Sequence, residues 1–500
     1  MPTGLILGRT ASGSSLREAA DAEKRGDIDG AIRYYAEALA ADGGDAAAHN
    51  AVGALYYRKG DIDAAQRHFA RAVALRPTFP RALTNLGACH NEQGRQQQAI
   101  ACYEKAIMAD PRFVDAYRNM GKAWGDMDEY EMAVWSYRKA YELAPNSESA
   151  RGLAKNYRRT GRYRRARQIL AKAIEADPVN ADLQFNMAMT EFHLENWASG
   201  LKAYEWRFQL KEMQKHRSDL AAIFNRPWLK GAELKDQTLL LHTEQGFGDS
   251  LQFARFVRLV RPKVGRLVMF CRPGLGRLFS HCLELDEVSE KLDALPEFNY
   301  HLPLLSVPSR FDPHLASLQP FSPYLAAPPR LACPLQPEEG RLNVGLVWGA
   351  SDSGFDHRNK KVPLLALDPL LANKAVKWFS LQVGSDRRDL AIHGYDTRVV
   401  DVGAKLTDFA RTAAAVDALD LVITCDTSVA HLAGAMGRPV WVMLKKEPDW
   451  RWHADGERST WYPSARLYRQ YSHGDWSDVV RRVLLDLDSL VAERGLSPGR

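Results

Sequence analysis

The sequence predicts a helical repeat array followed by an α/β region of two Rossmann-like lobes. Three observations carry that prediction. A period of about 34 residues runs from Ser12 to Pro178. After about Pro227, Ala-rich helical texture gives way to short apolar strands alternating with helices. A Pro-rich stretch between Ala294 and Arg341 then splits the strand-bearing half in two. At 500 residues the chain is also too long for one compact domain.

The repeats align on alanine: Ala31, Ala65, Ala99, Ala133 and Ala166, spaced 34, 34, 34 and 33 apart. A ring or bulky apolar residue follows four later each time, at Tyr35, Phe69, Tyr103, Tyr137 and Leu170. Prolines recur at Pro77, Pro111, Pro145 and Pro178, and glycines at Gly26, Gly60, Gly94 and Gly161. Small residues belong where two antiparallel helices touch closely, a ring fills the hole beside them, and proline stops the second helix. One helix pair cannot bury its apolar face alone, so neighbours stack into a continuous core. Five repeats are expected, then a degenerate sixth from Ala181 to about Gln209 that carries Trp197, Gly200 and Tyr204 and caps the array. The array therefore occupies residues 12–209.

Such an array presents a groove to a polypeptide; a dimerisation surface or a passive spacer is the plain alternative. Asn85 and Asn119 fall at one repeat position on the first helix, with Ala51 at that position in the repeat before. The arginines 158, 159, 162, 164, 165 and 167 suit an acidic partner or simply a solvated helix pair.

In the α/β half, strands are expected at Thr238–His242, Leu267–Phe270, Asn343–Val347, Lys377–Leu381, Leu421–Thr424 and Val440–Met443. Helices are expected between them, for example Leu251–Leu259 and Val429–Met436. Residues 228–335 form the first lobe and 340–485 the second, with a crevice between them.

Four segments there carry candidate chemistry. In HTEQGFGDSLQF, residues 242–253, a strand runs into a loop bearing Gly246 and Gly248, and a helix starts near Asp249. Glycines let a backbone approach a ligand, and exposed N–H groups at a helix start favour anions. Asp249 can equally serve only to stabilise the helix start. Val347-Trp348-Gly349 opens into a loop reaching Arg358, Asn359, Lys360 and Lys361, cations that suit a phosphate-bearing ligand or a solvated loop. In DLVITCDTSVAHLAGAMGRPV, residues 420–440, a buried strand ends in Asp426-Thr427-Ser428 and a small-residue helix follows at once. Thr427 or Ser428 can cap that helix, Asp426 can meet a sugar hydroxyl, and His431 is either a ligand contact or a buried hydrogen-bonded histidine. Finally, Trp450, Trp452 and Trp461 either wall the crevice or pack the last helix across the lobes.

The repeat columns are identified as tetratricopeptide repeats. The whole layout is similar to that of the O-GlcNAc transferases, in which an asparagine ladder grips the acceptor backbone; Asn85 and Asn119 are the positions that match here. The strings EQGFGDSLQFAR, LNVGLVWGA, DLVITCDTSVAHLAGAMGRPVWVML, DWRW and WYPSARLYRQ resemble the heptosyltransferase-like branch of the GT-B glycosyltransferases. That resemblance implies an acceptor-side first lobe and a nucleotide-sugar-binding second lobe. It implies Asp249 as catalytic base, Lys360 or Lys361 on the donor phosphate, and Asp426, Thr427, Ser428 and His431 around the donor. Some relatives of this fused layout modify flagellin in the cytoplasm.

The function expected is therefore transfer of a sugar from a nucleotide donor to Ser or Thr of an acceptor protein held by the repeats, with flagellin as the candidate acceptor. A non-catalytic scaffold with a degenerate GT-B half, or an enzyme acting on a surface polysaccharide, are the alternatives. If Asp249 is not the base, Glu244 or His242 comes next. No cofactor is expected, and no metal, since DID at 27–29 and 61–63 lies in repeat turns. A net charge of +6 is too dilute for a nucleic-acid partner. Six cysteines without C-x-x-C spacing suggest a reducing compartment. MPTGLILGRT lacks the length and basic flank of a signal peptide, and no apolar run reaches about 18 residues. A cytoplasmic protein with no membrane span is expected.

Overall fold

The structure, a computed structural model, describes residues 4–229, 234–319, 321–350, 359–453 and 455–496, with side chains from residue 13 onward. The chain divides into two compact units, Met1–Asn186 and Met187–Arg500.

The first unit is a stack of helix pairs: α1 (Gly4–Lys24) with α2 (Ile28–Ala41), α3 (Ala46–Lys59) with α4 (Ile62–Leu75), α5 (Pro80–Glu92) with α6 (Gln96–Ala109), α7 (Val114–Asp126) with α8 (Tyr130–Leu143), and α9 (Ser147–Arg159) with α10 (Tyr163–Ala176). The first helix starts at Gly4, ahead of the expected Ser12. Local signals set the ends. The Asp45 carboxylate accepts from the N–H groups of Ala47 and Ala48, and Asp61 accepts from Ala64, capping α3 and α4. Between paired helices the backbone turns left-handed, with Gly60 at φ 84° and Gly94 at φ 73°. At the same repeat position Asp128 adopts φ 61° without being glycine.

Side-chain packing repeats as faithfully as the sequence. A Cβ on Gly53 would sit 2.7 Å from the Phe69 ring, one on Gly87 2.5 Å from Tyr103, and one on Gly121 2.6 Å from Tyr137. Glycine on the first helix thus admits the ring of the second, and Phe69 and Tyr103 are each only 1% exposed.

The second unit begins inside α11 (Ala181–His193), which is followed by α12 (Trp197–Tyr204) and a 3-10 turn at Glu205–Gln209. Most of the degenerate repeat, expected to end the array at 209, thus lies in the same compact unit as the α/β region. The physical reason lies in its side chains. Phe192 packs on Trp450 at 4.5 Å, Trp197 on Trp461 at 5.7 Å, and the buried Arg207 pairs with Glu244 at 2.6 Å.

Two parallel sheets follow. The first holds β1 (Leu234–His242), β2 (Val264–Phe270), β3 (Glu287–Ser289) and β4 (Tyr300–Pro303), in the order β3-β2-β1-β4. The second holds β5 (Leu342–Val347), β6 (Val376–Ser380), β7 (Val399–Asp401), β8 (Leu421–Cys425), β9 (Val440–Leu444) and β10 (Ala465–Arg469), in the order β10-β9-β8-β5-β6-β7. Every pairing is parallel. Strands β5 and β8 are buried along their whole length, as central strands covered on both faces must be. Strand β4 lies within the Pro-rich stretch, so the start of that stretch is a sheet element and not a divider. The expected helix Leu251–Leu259 is split into Phe247–Phe253, a 3-10 turn at Ala254–Phe256, and Val257–Val260.

Candidate functional site

In the second sheet the chain leaves β5 toward β6 on one side, and β8 lies on the other. Loops that follow two such strands diverge and leave a crevice at their carboxyl ends, where α/β proteins bind ligands. The loop after β5 begins with Trp348 and Gly349, whose N–H groups donate to the Gln382 side-chain oxygen at 3.2 and 2.8 Å. The loop after β8 carries Asp426, Thr427 and Ser428. Lys360 reaches Asp426 Oδ2 at 2.7 Å, and Trp452 Nε1 donates to Asp426 Oδ1 at 2.7 Å. Burial alone would raise the Asp426 carboxyl, but the Lys360 ammonium outweighs it and holds the group below its ordinary range.

The two candidate lysines part ways. Lys360 joins Asp426 at the crevice, whereas Lys361 pairs with Asp386, beyond β6, at 3.2 Å. Arg358 lies outside the described residues. Thr427 stands at the N-cap of the helix Ser428–Ala435 but makes no side-chain cap bond; its hydroxyl meets that of Thr424 at 2.9 Å. Ser428 is the first residue of that helix, half-buried. His431 is 5% exposed, its Nδ1 lies 3.1 Å from the Tyr462 hydroxyl, and its ring stacks on Trp452 at 5.0 Å. Burial pushes its pKa down to about 3, so the imidazole is neutral at pH 7.

The first lobe contributes the loop after β1. Here Gly248 does something other than open the backbone to a ligand: a Cβ at this position would lie 2.8 Å from His431 Cδ2, so the glycine makes room for the histidine. Asp249 is held at both oxygens. Gly246 N–H donates to Oδ2 at 2.9 Å, and Arg451 Nη2 pairs with Oδ1 at 2.5 Å. The alternative reading of Asp249 as a helix-start residue is thus part of what the structure contains.

Glu244 is fully buried, with Oε1 2.6 Å from Arg207, which also donates to the Ser306 hydroxyl at 2.8 Å. Burial pushes the Glu244 carboxyl up to about 7 against the pull of Arg207. His242 sits behind it with Nε2 3.1 Å from His301 Nδ1; burial and the neighbouring His301 keep its pKa well below the ordinary value.

Trp450, Trp452 and Trp461 are 5%, 0% and 1% exposed and form the interior of this unit. Arg451 between them is the residue that sequence reasoning missed. Its Nε donates to Gln252 at 2.6 Å, Nη1 to Asp449 at 2.8 Å and Nη2 to Asp249, while its guanidinium lies 4.2 Å from the Trp450 ring centroid. The D-W-R-W string was the available signal.

In the repeat unit, Asn85 and Asn119 line a cavity of about 350 Å³ together with Arg58, Asn91, Glu92 and Lys122, all on first helices of their pairs. Asn85 Nδ2 donates to Asn50 Oδ1 at 2.9 Å, so the asparagine row continues one residue out of register with Ala51. Within the arginine cluster, Arg158 donates to Asn186, Arg159 lies over Tyr130, and Arg162 forms a fork with Glu131 at 2.8 and 2.9 Å. Arg164, Arg165 and Arg167 are exposed.

Among the described residues no three His, Cys, Asp or Glu side chains converge to hold a metal ion. Among them, too, no helix is long and apolar enough to cross a membrane.

Residues 16–152 match the family model of the cilia and flagella-associated protein 70 middle TPR-like domain, and residues 151–205 match a tetratricopeptide repeat model. Protein FlbA of Caulobacter vibrioides is 26% identical over 343 residues, covering 62% of this chain and 56% of FlbA. The match thus spans about half the length of that relative, and it is longer than the repeat array alone. Among solved structures, MamA is 25% identical over 34% of this chain and 92% of its own, with a TM-score of 0.31. Pseudomonas aeruginosa pilF is 20% identical over 42% of this chain and 99% of its own, with a TM-score of 0.37. With the repeat columns, the glycine–ring packing and both family models in agreement, the chain is a tetratricopeptide-repeat protein with an α/β region of parallel sheets behind the repeats.

Proposed function

We propose that the chain is a GT-B protein O-glycosyltransferase, with a nucleotide-sugar in the crevice beyond β5 and β8 and the acceptor protein in the repeat groove. The observation that carries this is the Lys360–Asp426 pair at the point where the strand order reverses, with Asp249 of the other lobe joined to it through the D-W-R-W turn. Lys360 places a positive charge beside Asp426 at the carboxyl end of β8, the sign of charge that a donor phosphate requires. In the reaction an acceptor hydroxyl oxygen attacks the anomeric carbon, and its proton passes to Asp249. The bond from that carbon to the phosphate oxygen breaks, and the electron pair leaves with the phosphate. Lys360 and the N–H groups at the start of the helix Ser428–Ala435 stabilise that developing charge.

The asparagines at 50, 85 and 119 support an extended polypeptide as the occupant of the groove. Flagellin is the acceptor to try first, on the resemblance of the fused layout to flagellin-modifying relatives. A second reading has its own observation. A carboxylate held by both Gly246 and Arg451 can serve structure alone, as in a non-catalytic scaffold. Intact-mass analysis of flagellin and of total protein from a deletion strain separates the two. Loss of a sugar-sized mass from an acceptor is expected; an unchanged protein mass profile sinks the transferase proposal.

A further inference from the structure

The D-W-R-W turn is more than a packing element. Asp449 opens it with a side chain that accepts from the Arg451 N–H at 3.1 Å, which fixes the backbone that presents the guanidinium. Three directions of the Arg451 fork are then used at once, toward Gln252, Asp449 and Asp249, with a tryptophan face beneath. Asp449 and Asp249 raise the guanidinium pKa against the burial that would lower it. Next to Arg451 in the turn, Trp452 donates Nε1 to Asp426 Oδ1 at 2.7 Å, and Lys360 reaches Asp426 Oδ2 at 2.7 Å. The turn therefore links Asp249, on the first lobe's loop, through Arg451 and Trp452 to Asp426 and Lys360 at the carboxyl end of β8.

A planar fork held at three points cannot swivel, and a carboxylate held at both oxygens keeps its plane. Asp249 Oδ2 accepts from Gly246 N–H and Oδ1 from Arg451, and each oxygen has a further lone pair on which a proton can be received. Catalytic groups need placement within about 0.5 Å to work. From this geometry we infer that Arg451 is the positioning residue of the transfer reaction, fixing the Asp249 carboxylate for proton abstraction and tying its placement to the donor loop. The inference rests on the glycosyltransferase function proposed above. Arg451 stays protonated throughout, and the abstracted proton ends on Asp249.

The experiment uses full-length protein added to lysate of the deletion strain, which supplies both donor and unmodified acceptor, with intact mass read over time. UDP, GDP and CMP serve as calorimetric probes of the crevice. Arg451→Ala is expected to melt cooperatively and to bind the favoured nucleotide within about threefold of wild type. Its transfer rate is expected to fall at least about 100-fold, the scale of effect that misplacement of a reacting group produces. Guanidinium at tens of millimolar should then restore several-fold activity, and sodium chloride at equal strength should not. A merely structural arginine would not respond in that way. Arg451→Lys keeps the charge but replaces the rigid planar fork with a point charge on a flexible stem, which cannot fix the plane of the Asp249 carboxylate. It should keep nucleotide binding and lose at least about tenfold in rate, which preserves the test if the alanine variant does not fold. Wild-type rates in either variant overturn the inference, as does loss of nucleotide binding in Arg451→Lys parallel to loss of rate. If wild type modifies nothing, the function proposed above is identified as the failure; if Asp249→Asn transfers at the wild-type rate, that function stands and the inference about Arg451 is overturned.

Discussion

Gly248 and His431 meet across the two lobes, so closely that a Cβ on the glycine would lie 2.8 Å from the ring carbon Cδ2. The His431 ring cannot retreat, because Trp452 stacks on one side and the Tyr462 hydroxyl meets Nδ1. Gly248→Ala should therefore destabilise the protein by about 1–3 kcal/mol, the usual cost of overpacking a tight interior. His431→Ala in the same chain should recover part of that loss, giving a coupling energy of about 1 kcal/mol in a double-mutant cycle by urea denaturation. Additive effects would mean that the two residues do not touch in solution.

The repeat unit makes two different demands on glycine. Gly60 is needed for its φ of 84°, and Gly87 is needed because Tyr103 and the Ala99 carbonyl leave no room for a Cβ. Gly60→Ala should cost about 1 kcal/mol through backbone strain. Gly87→Ala should cost more, about 1–3 kcal/mol, through packing. The rarer second effect is relieved by Tyr103→Leu in the same chain, and the first is not. Equal responses to Tyr103→Leu would contradict this division.

Acid should weaken the α/β unit before the repeats. His242 and His301 are held below the ordinary histidine pKa, His301 at about 4, and His431 at about 3, all chiefly by burial. Their folded pKa values lie under the unfolded value of about 6.5, so their contribution is present above pH 6.5 and lost as pH falls. Glu244 acts oppositely: with its folded pKa raised to about 7, its contribution is present below about 4.5 and lost as pH rises through 7. Between pH 6.5 and 4.5 these four groups together bind about three protons in the unfolded chain against about one in the folded chain. The net approaches two protons, or about 3 kcal/mol per pH unit. Denaturant midpoints followed by tryptophan fluorescence, most tryptophans lying beyond Asn186, should fall steadily over that range. A flat midpoint from pH 7.5 to 5 would contradict the buried neutral histidines.

Truncation should locate the boundary between the units. Removal of residues up to Asn186 leaves Phe192, Trp197 and Arg207 to cover Trp450, Trp461 and Glu244. That shortened chain is expected to be folded and to bind nucleotide. Removal up to Gln209 strands the Glu244 carboxylate without Arg207, a loss of about 3–5 kcal/mol for a broken buried pair. It also strips the tryptophans, so insoluble or non-cooperative protein is expected. Equal behaviour of the two truncations would mean that residues 187–209 contribute nothing to the stability of the α/β unit.

Much of this was legible in the sequence because repetition amplifies signal. The Ala31 to Ala166 column recurs five times with a ring or leucine four residues on, and the fold makes the same glycine–ring contact at Phe69, Tyr103 and Tyr137. Strands β5 and β8 were legible because burial on both faces leaves an uninterrupted apolar run. Strands β3 and β7 are three residues long and partly exposed, too short for any alternation to register. Strand β4 was hidden by the prolines around it, although Pro303 at its last position leaves the ladder intact. The tryptophans of the terminal segment left a crevice wall and interior packing both open because their cover, Phe192 and Trp197, lies far away in sequence. The Asp249–Arg451 pair spans 202 residues, a separation no local pattern encodes.

The donor crevice is most directly tested by calorimetry of UDP, GDP and CMP with the intact wild-type chain and with Asp426→Ala. Asp426 is held by Lys360 and Trp452 at the carboxyl end of β8, where the strand order reverses. Wild type is expected to bind one of the three nucleotides, and Asp426→Ala to weaken that binding at least about 100-fold while melting as a folded protein. Lys360→Met should behave in the same direction, because a phosphate loses its cation. Binding that is unchanged in Asp426→Ala, or absent from wild type with all three nucleotides, would contradict the placement of a nucleotide-sugar beyond β5 and β8.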